Sequence, residues 1–426
     1  MKRRPFLGLL AALGLASAAP NAHAVVEGNP QLSDEELKKS LDRPDPSRPL
    51  LQRATKDSVS IAWSVERSST GWVEWGTTPD LGNIARGSIG GLNVFDERFL
   101  SSQITGLQPG TTYYYRVVTQ GMEFRRYGQL FAGEPVYGEV NSFTTADESA
   151  EAAKFVIFSD THESLPYLRS LAAKVDEYNP ECVIWNGDLL NDTNSADQAI
   201  HGILKAADTP WLSNRPVFLT GGNHDHRGPW ARQLTKIFLP QNETCAKYRQ
   251  LIYNFAYRIG PVAVIGLDTG EDKPDFHPIW NGLSNFDAMR VLQAEWLEET
   301  LNWPEIASAP FVVAVCHIPI YSSDPDANPG EILDGFAYWQ SRCGELWTPV
   351  LNKHKVQVLV TGHMHTPLKA DLADENRCWV QMHGGAAEEK NRTIIYGNIE
   401  NNRLVLRREN LTEGKIDEEF FFDPRS

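Results

Sequence analysis

The chain is 426 residues long, enough for two domains, and its 41% hydrophobic and 10% aromatic content suits a globular protein with a sizeable core. Lys2, Arg3 and Arg4 stand in a first stretch with no acid; beyond residue 24, 37 basic residues face 55 acidic ones, a net −18. That excess argues against nucleic acid or an anionic membrane as the main partner, and an anionic ligand would meet repulsion everywhere except near a bound cation.

The N-terminus reads as an export signal over 1–24. Lys2-Arg3-Arg4 make a basic start, Phe6 to Ala19 is a 14-residue apolar stretch too short to span a bilayer, and Ala22-His23-Ala24 is a small-x-small cleavage site. Arg3-Arg4-Pro5-Phe6-Leu7 resembles the twin-arginine signal of bacterial proteins exported already folded, which implies a periplasmic or secreted protein. No other stretch is apolar and long enough for a transmembrane anchor. Residues 25–48 are polar and proline-bearing and read as a linker, with one short helix over Asp34–Leu41.

From 49 to 147 the pattern is all strand. Ser58 to Trp63 alternates with period two, as a half-buried strand should, and Trp72 to Gly76 follows. Residues 120–138 read as a loop-like insert, and Val140 to Thr145 as the last strand. Leu107-Gln108-Pro109-Gly110 followed by Tyr113-Tyr114-Tyr115 resembles the tyrosine corner of a fibronectin type III sandwich, in which a Tyr hydroxyl bonds back to the backbone. The resemblance implies a module for spacing or binding, without catalysis.

From 152 to 424 strand and helix signals alternate. Phe155 to Phe158, Cys182 to Trp185, Val217 to Thr220, Val262 to Leu267, Phe311 to Val315 and Val356 to Val360 are apolar strands. Ser164 to Tyr178 and Phe286 to Leu301 are amphipathic helices. The fold class is α/β, and ligands in such folds gather at the carboxyl ends of strands. Five segments rich in metal-binding side chains sit at those ends: Asp160-Thr161-His162, Gly187-Asp188, Gly222-Asn223-His224-Asp225, Cys316-His317 and Gly362-His363-Met364-His365. Each is weak alone, since Asp and His in loops are usually just solvated. Together they give enough oxygen and nitrogen donors for two divalent ions.

The series resembles the calcineurin-like metallophosphoesterase superfamily: D-x-H, G-D, G-N-H-D, an isolated H after a strand, and G-H-x-H. The resemblance implies a four-layer α/β sandwich, here preceded by the fibronectin-like sandwich. It places one metal on Asp160, His162, Asp188 and His365, and a second on Asp188, Asn223, His317 and His363. His224 becomes the non-ligand histidine that contacts the phosphoryl group or protonates the leaving oxygen. Asn191 and Asp225 stand behind these residues; Asn191 could orient His224. The activity implied is phosphoric ester hydrolysis, in which two cations lower the pKa of a shared water and supply a hydroxide. The donors admit Fe, Mn, Zn or Co, divalent or trivalent. The partner is a phosphate-ester substrate; no nucleic-acid module is visible, and oligomeric state is left open.

Sandwich and hydrolase in tandem also resemble purple acid phosphatases, with two departures. Those carry Asp-x-Gly first and a metal-binding tyrosine three residues after the bridging Asp; here His162 and Asn191 occupy the positions. The departures argue against a ferric–tyrosinate site, and Asp-x-His with Asn at the tyrosine position looks more like the bacterial phosphodiesterase branch; that resemblance leans toward diesters, with a phosphomonoesterase as the alternative. An inert binding module would show a lost ligand, and none of the seven is lost. His226 and Tyr321 lie close enough in sequence to line the pocket, though packing explains them as well. The Gln293 to Leu301 stretch resembles the family's Q-x-x-W-L helix, which packs. Five cysteines without a C-x-x-C pair exclude a disulfide framework. Cys182 and Cys316 read as buried thiols, and one bridge among Cys245, Cys343 and Cys378 is possible.

Overall fold

The computed structural model describes residues 33–206, 209–242, 245–321 and 336–425. The stretch read as an export signal, 1–24, lies outside the described residues. Among those described, no helix is long and apolar enough to cross a membrane.

The N-terminal part is a sandwich of two antiparallel sheets. One holds Leu50–Gln52, Ser58–Ser64 and Phe99–Thr105; the other centres on Thr112–Arg126 and Ser69–Gly76. Val59, Ile61 and Trp63 alternate into its core with Val73, Tyr115 and Val117. The corner forms as expected: the Gln108 N–H donates to the Tyr113 hydroxyl at 2.9 Å.

Two expectations need correction here. Residues 120–138 are a β-ribbon, because the alternation Met122-Glu123-Phe124-Arg125 carries the long strand past Gly121. It turns at Gly128 and pairs Leu130 with Phe124 and Ala132 with Met122. The stretch read as a linker is packed. Its helix, Asp34–Leu41, starts in a capping box: Ser33 Oγ accepts the Glu36 N–H, and Glu36 accepts the Ser33 N–H at 2.9 Å. Leu37 and Leu41 are then buried.

The remainder has four layers. A six-stranded sheet runs Val217–Thr220, Cys182–Asn186, Lys154–Phe158, Thr393–Glu400, Arg403–Asn410, Lys415–Phe422. A five-stranded sheet runs Phe255–Ile259, Val262–Leu267, Phe311–Cys316, Val358–Thr361, Val380–His383. Their facing sides share a core of Phe155, Ile157, Ile184 and Phe218 with Val264, Val313, Val315 and Val360. The helix Leu165–Tyr178 covers one outer face with Leu168, Leu171 and Val175. Phe286–Leu301 and Phe336–Lys353 cover the other with Trp296, Leu297, Trp347 and Leu351. Burying each such side chain contributes about 1.5–3 kcal/mol.

Three strands of the first sheet and four of the second run parallel, so seven carboxyl ends open toward one edge. The sandwich is joined to this body by apolar contacts, Leu50 and Phe99 sharing a core with Trp211 and Leu234, and by polar ones: Tyr115 donates to Ser213 O at 2.7 Å, and Gln52 Nε2 to Ile237 O at 2.6 Å. All five cysteines are free; Cys343 is buried, and Cys245 and Cys378 are exposed, so the suggested bridge is not made.

Candidate metal centre

Three of the strand ends, at Phe158, Asn186 and Thr361, turn sharply into their loops. Asp160, His162, Asp188, His363 and His365 all have left-handed backbones, with φ of 53°, 43°, 50°, 68° and 53°. Residues other than glycine adopt this conformation at a cost of about 1–3 kcal/mol, and it is held only where surroundings over-determine it. Here they do. Asp160 accepts the His363 N–H at 3.0 Å, and Asp188 Oδ1 accepts the His224 N–H at 2.9 Å. Gly222 is required at its position, because a Cβ there would collide with the Asp188 carboxylate.

The side chains converge into two donor sets. Asp160, His162, Asp188 and His365 each offer an atom within 4.8 Å of the others; so do Asp188, His317 and His363. Asp188 belongs to both. Asn223 joins the second set, its Oδ1 lying 2.9 Å from His363 Nδ1. His162 Nε2 is 3.0 Å from His365 Nε2, a spacing of two lone-pair donors that a cation between them would reconcile.

Charge and hydrogen bonding fit the same reading. His317 Nδ1 donates to Asn186 O at 2.9 Å, which turns Nε2 toward Asp188. Asp188 Oδ2 and His317 Nε2 lie 3.2 Å apart, both buried, and among the described residues neither atom has a hydrogen-bond partner, though His162 Nε2 lies 3.5 Å from the same Oδ2. An orphaned pair of this kind is what a cation would satisfy. Against the cost of burial, Asp188 and Asp160 push His317 up to about 10. Burial and the neighbouring His317 push His363 down to about 4. In the chain alone, a proton on His317 answers the field of two buried carboxylates; a metal would replace it.

The supporting residues are placed as follows. Asp225 is buried and clamps two loops, accepting from Leu189 N at 3.1 Å and Gly222 N at 3.0 Å. Burial and the charge of Asp188 push it up to about 7. His224 donates from Nδ1 to Asn191, but to its main-chain carbonyl. The Asn191 amide itself turns to Glu163 at 3.0 Å, so orientation of His224 comes from the backbone. Neither pocket-lining candidate is offered freely to the site. His226 Nε2 pairs with Asp268 at 3.0 Å, and its ring packs between Tyr253 and Phe286. Tyr321 lies under the Arg377 guanidinium at 3.5 Å and is tied to Gln381 through its backbone.

The 268–272 loop was not singled out by its sequence. Gln293 holds it through both backbone groups of Asp268, at 2.8 and 2.6 Å, so the packing helix also positions this edge. Glu271, buried, grips Arg227 with both oxygens, at 2.8 and 2.7 Å. Arg227 follows the G-N-H-D segment closely, but its partners stand over forty residues away, and no local pattern announces them.

The profile of calcineurin-like phosphoesterases matches residues 153–367, half the chain. The chain belongs to the calcineurin-like phosphoesterase family. It is thus a member of a family of metal-dependent phosphoester hydrolases, and the profile of the purple acid phosphatase N-terminal domain matches 45–145. "Probable purple acid phosphatase 20" of Arabidopsis thaliana is 24% identical over 321 residues, covering 72% of this chain and 65% of that relative. The match thus spans just under two thirds of the relative's length. The structure of purple acid phosphatase PPD1 from yellow lupin seeds superposes with a TM-score of 0.63 at 15% identity, over 89% of this phosphoesterase and 74% of that chain. PhoD superposes at 0.54 and 13% identity, over 84% and 85%. At such identities these two structures show the shared fold.

Proposed function

We propose that this chain is an exported, two-metal phosphoric ester hydrolase that prefers diesters. One observation carries the reading: two donor sets meet at a single buried carboxylate, Asp188. Asp160, His162, Asp188 and His365 would hold one cation, and Asp188, Asn223, His317 and His363 the other. When bound, two such cations supply an activated water for attack at phosphorus and neutralise charge on the phosphoryl oxygens.

The chain's own groups do the rest. Asp188 sets the spacing of the two halves, and Asn223 donates an oxygen without adding negative charge. A carbonyl accepts at Nδ1 of His224 and a guanidinium donates at Nε2, which fixes the neutral Nδ1–H tautomer. Once substrate draws the Arg227 N–H away, His224 Nε2 is the atom placed to contact the phosphoryl group or the leaving oxygen. The lean to diesters rests on His162 and Asn191. No phenolate stands at 191, and the amide there is spent on Glu163. A phosphomonoesterase is the second reading, favoured by the domain order shared with purple acid phosphatases.

The test uses residues 25–426, stripped by chelation and reloaded with Mn, Zn, Fe or Co. Faster metal-dependent release from bis(4-nitrophenyl) phosphate than from 4-nitrophenyl phosphate is expected. Monoester preference would support the second reading. No release from either, with two metals bound, would contradict both.

A further inference from the structure

We infer that Arg227 binds a non-bridging phosphoryl oxygen of the substrate beside His224, held in place by Glu271. The inference rests on the two-metal reading of the site and adds to it a residue that touches substrate.

A guanidinium has five N–H donors in a rigid fork. Arg227 spends Nε–H on Glu271 Oε2 at 2.8 Å, and Nη2 on Glu271 Oε1 at 2.7 Å and Asp272 Oδ1 at 3.2 Å. One Nη1–H reaches His224 Nε2 at 3.1 Å. The remaining N–H is also on Nη1, and among the described residues it has no partner. The fork is therefore locked on one side and open on the side facing His224. That side is the metal centre: the His224 N–H donates to Asp188 Oδ1 at 2.9 Å, and the His224 ring lies 4.9 Å from His162.

A purely structural role explains this less well. The loop carrying Glu271 is already secured without Arg227. Arg290 donates to Thr269 O and Glu271 O at 3.0 and 2.8 Å, and Gln293 holds Asp268. A partly buried ion pair gains little stability over its desolvation cost. A charged N–H aimed at a neutral imidazole is a poor end point for such a group, but a good waiting position for an anionic oxygen. Glu271 and Asp272 balance Arg227 and Lys273, so the contribution is directional hydrogen bonding more than added positive charge.

The probe is inorganic phosphate, titrated by calorimetry into protein reloaded with metal, with metal content and melting temperature measured on every variant. Arg227→Ala is expected to weaken phosphate about tenfold or more, with metal content unchanged, and Arg227→Lys to recover only part of that. The double variant Arg227→Ala with Glu271→Gln leaves no unpaired buried carboxylate and should show the same loss in a well-folded chain. Glu271→Gln alone should give an intermediate loss, because the fork loosens. Phosphate binding at wild-type strength in Arg227→Ala or in the double variant would overturn the inference. So would a loss of metal in parallel with the loss of phosphate. Wild-type protein that holds two metals and binds no phosphate would instead overturn the reading of the site on which the inference rests.

Discussion

The two halves of the molecule pay for their turns differently. In the sandwich, left-handed positions fall mostly on glycine: Gly82, Gly90, Gly91, Gly106, Gly110 and Gly128. Glycine adopts them without a steric penalty. In the hydrolase body glycines such as Gly187, Gly228 and Gly270 take such positions too, but so do Asp160, His162, Asp188, His363 and His365, the residues whose side chains gather at the strand ends. One half uses turns to close a stable module. The other stores strain and buried charge at the point where donors must converge. The difference teaches where binding a cation should matter: it relieves cost in the second half and leaves the first untouched.

Five experiments would break or sharpen that contrast. Asp188→Asn, which removes the shared charge, should lower kcat/KM by about a thousandfold or more and reduce bound metal. Retention of wild-type turnover would sink the site assignment. Gly222→Ala should cost about a hundredfold in activity by displacing Asp188, with circular dichroism unchanged. An active Gly222→Ala enzyme would show that the close approach is not needed. Chelation should destabilise the hydrolase body, and free metal a thousandfold above its Kd should restore about 4 kcal/mol. Hydrogen exchange in the sandwich should hardly change in that experiment; equal loosening of both halves would erase the contrast.

Smaller effects belong to the sandwich and to the flank. Tyr115→Phe removes the buried bond to Ser213 O and should cost about 1 kcal/mol of stability with kcat unchanged. A fall in kcat would show the sandwich acting on the site. Last, Asp268 raises His226 above its ordinary 6.5 despite the cost of burial, with Asp225 and Glu271 adding to the field. Stability from that pair is fully present below pH 6.5 and declines as pH rises through the raised value. His226→Gln should flatten this decline in melting curves across neutral pH; an unchanged slope would remove the pair from the account.

Most of the centre was legible because its chemistry is local. D-x-H, G-N-H and G-H-x-H each place donors within four residues of a strand end, and a strand end is visible as the close of an apolar run. The alternation of Ser58 to Trp63 and the spacing of Phe286 to Leu301 located elements for the same reason. What stayed hidden depends on distant partners. Arg227 gains meaning only from Glu271 and Asp272, which Gln293 and Arg290 bring alongside. His226 and Tyr321 look like pocket residues by their neighbours in sequence, yet Asp268 and Arg377 claim them. The ribbon at 120–138 was obscured because Gly121 and Gly128 interrupt the apolar signal that its alternation carries.

The central claim, that two cations share Asp188, is tested most directly by anomalous diffraction from crystals of the metal-loaded chain. The account predicts two peaks, one among Asp160, His162 and His365, the other among Asn223, His317 and His363, with the Asp188 carboxylate between them. A single peak, or two that do not both touch Asp188, would contradict it.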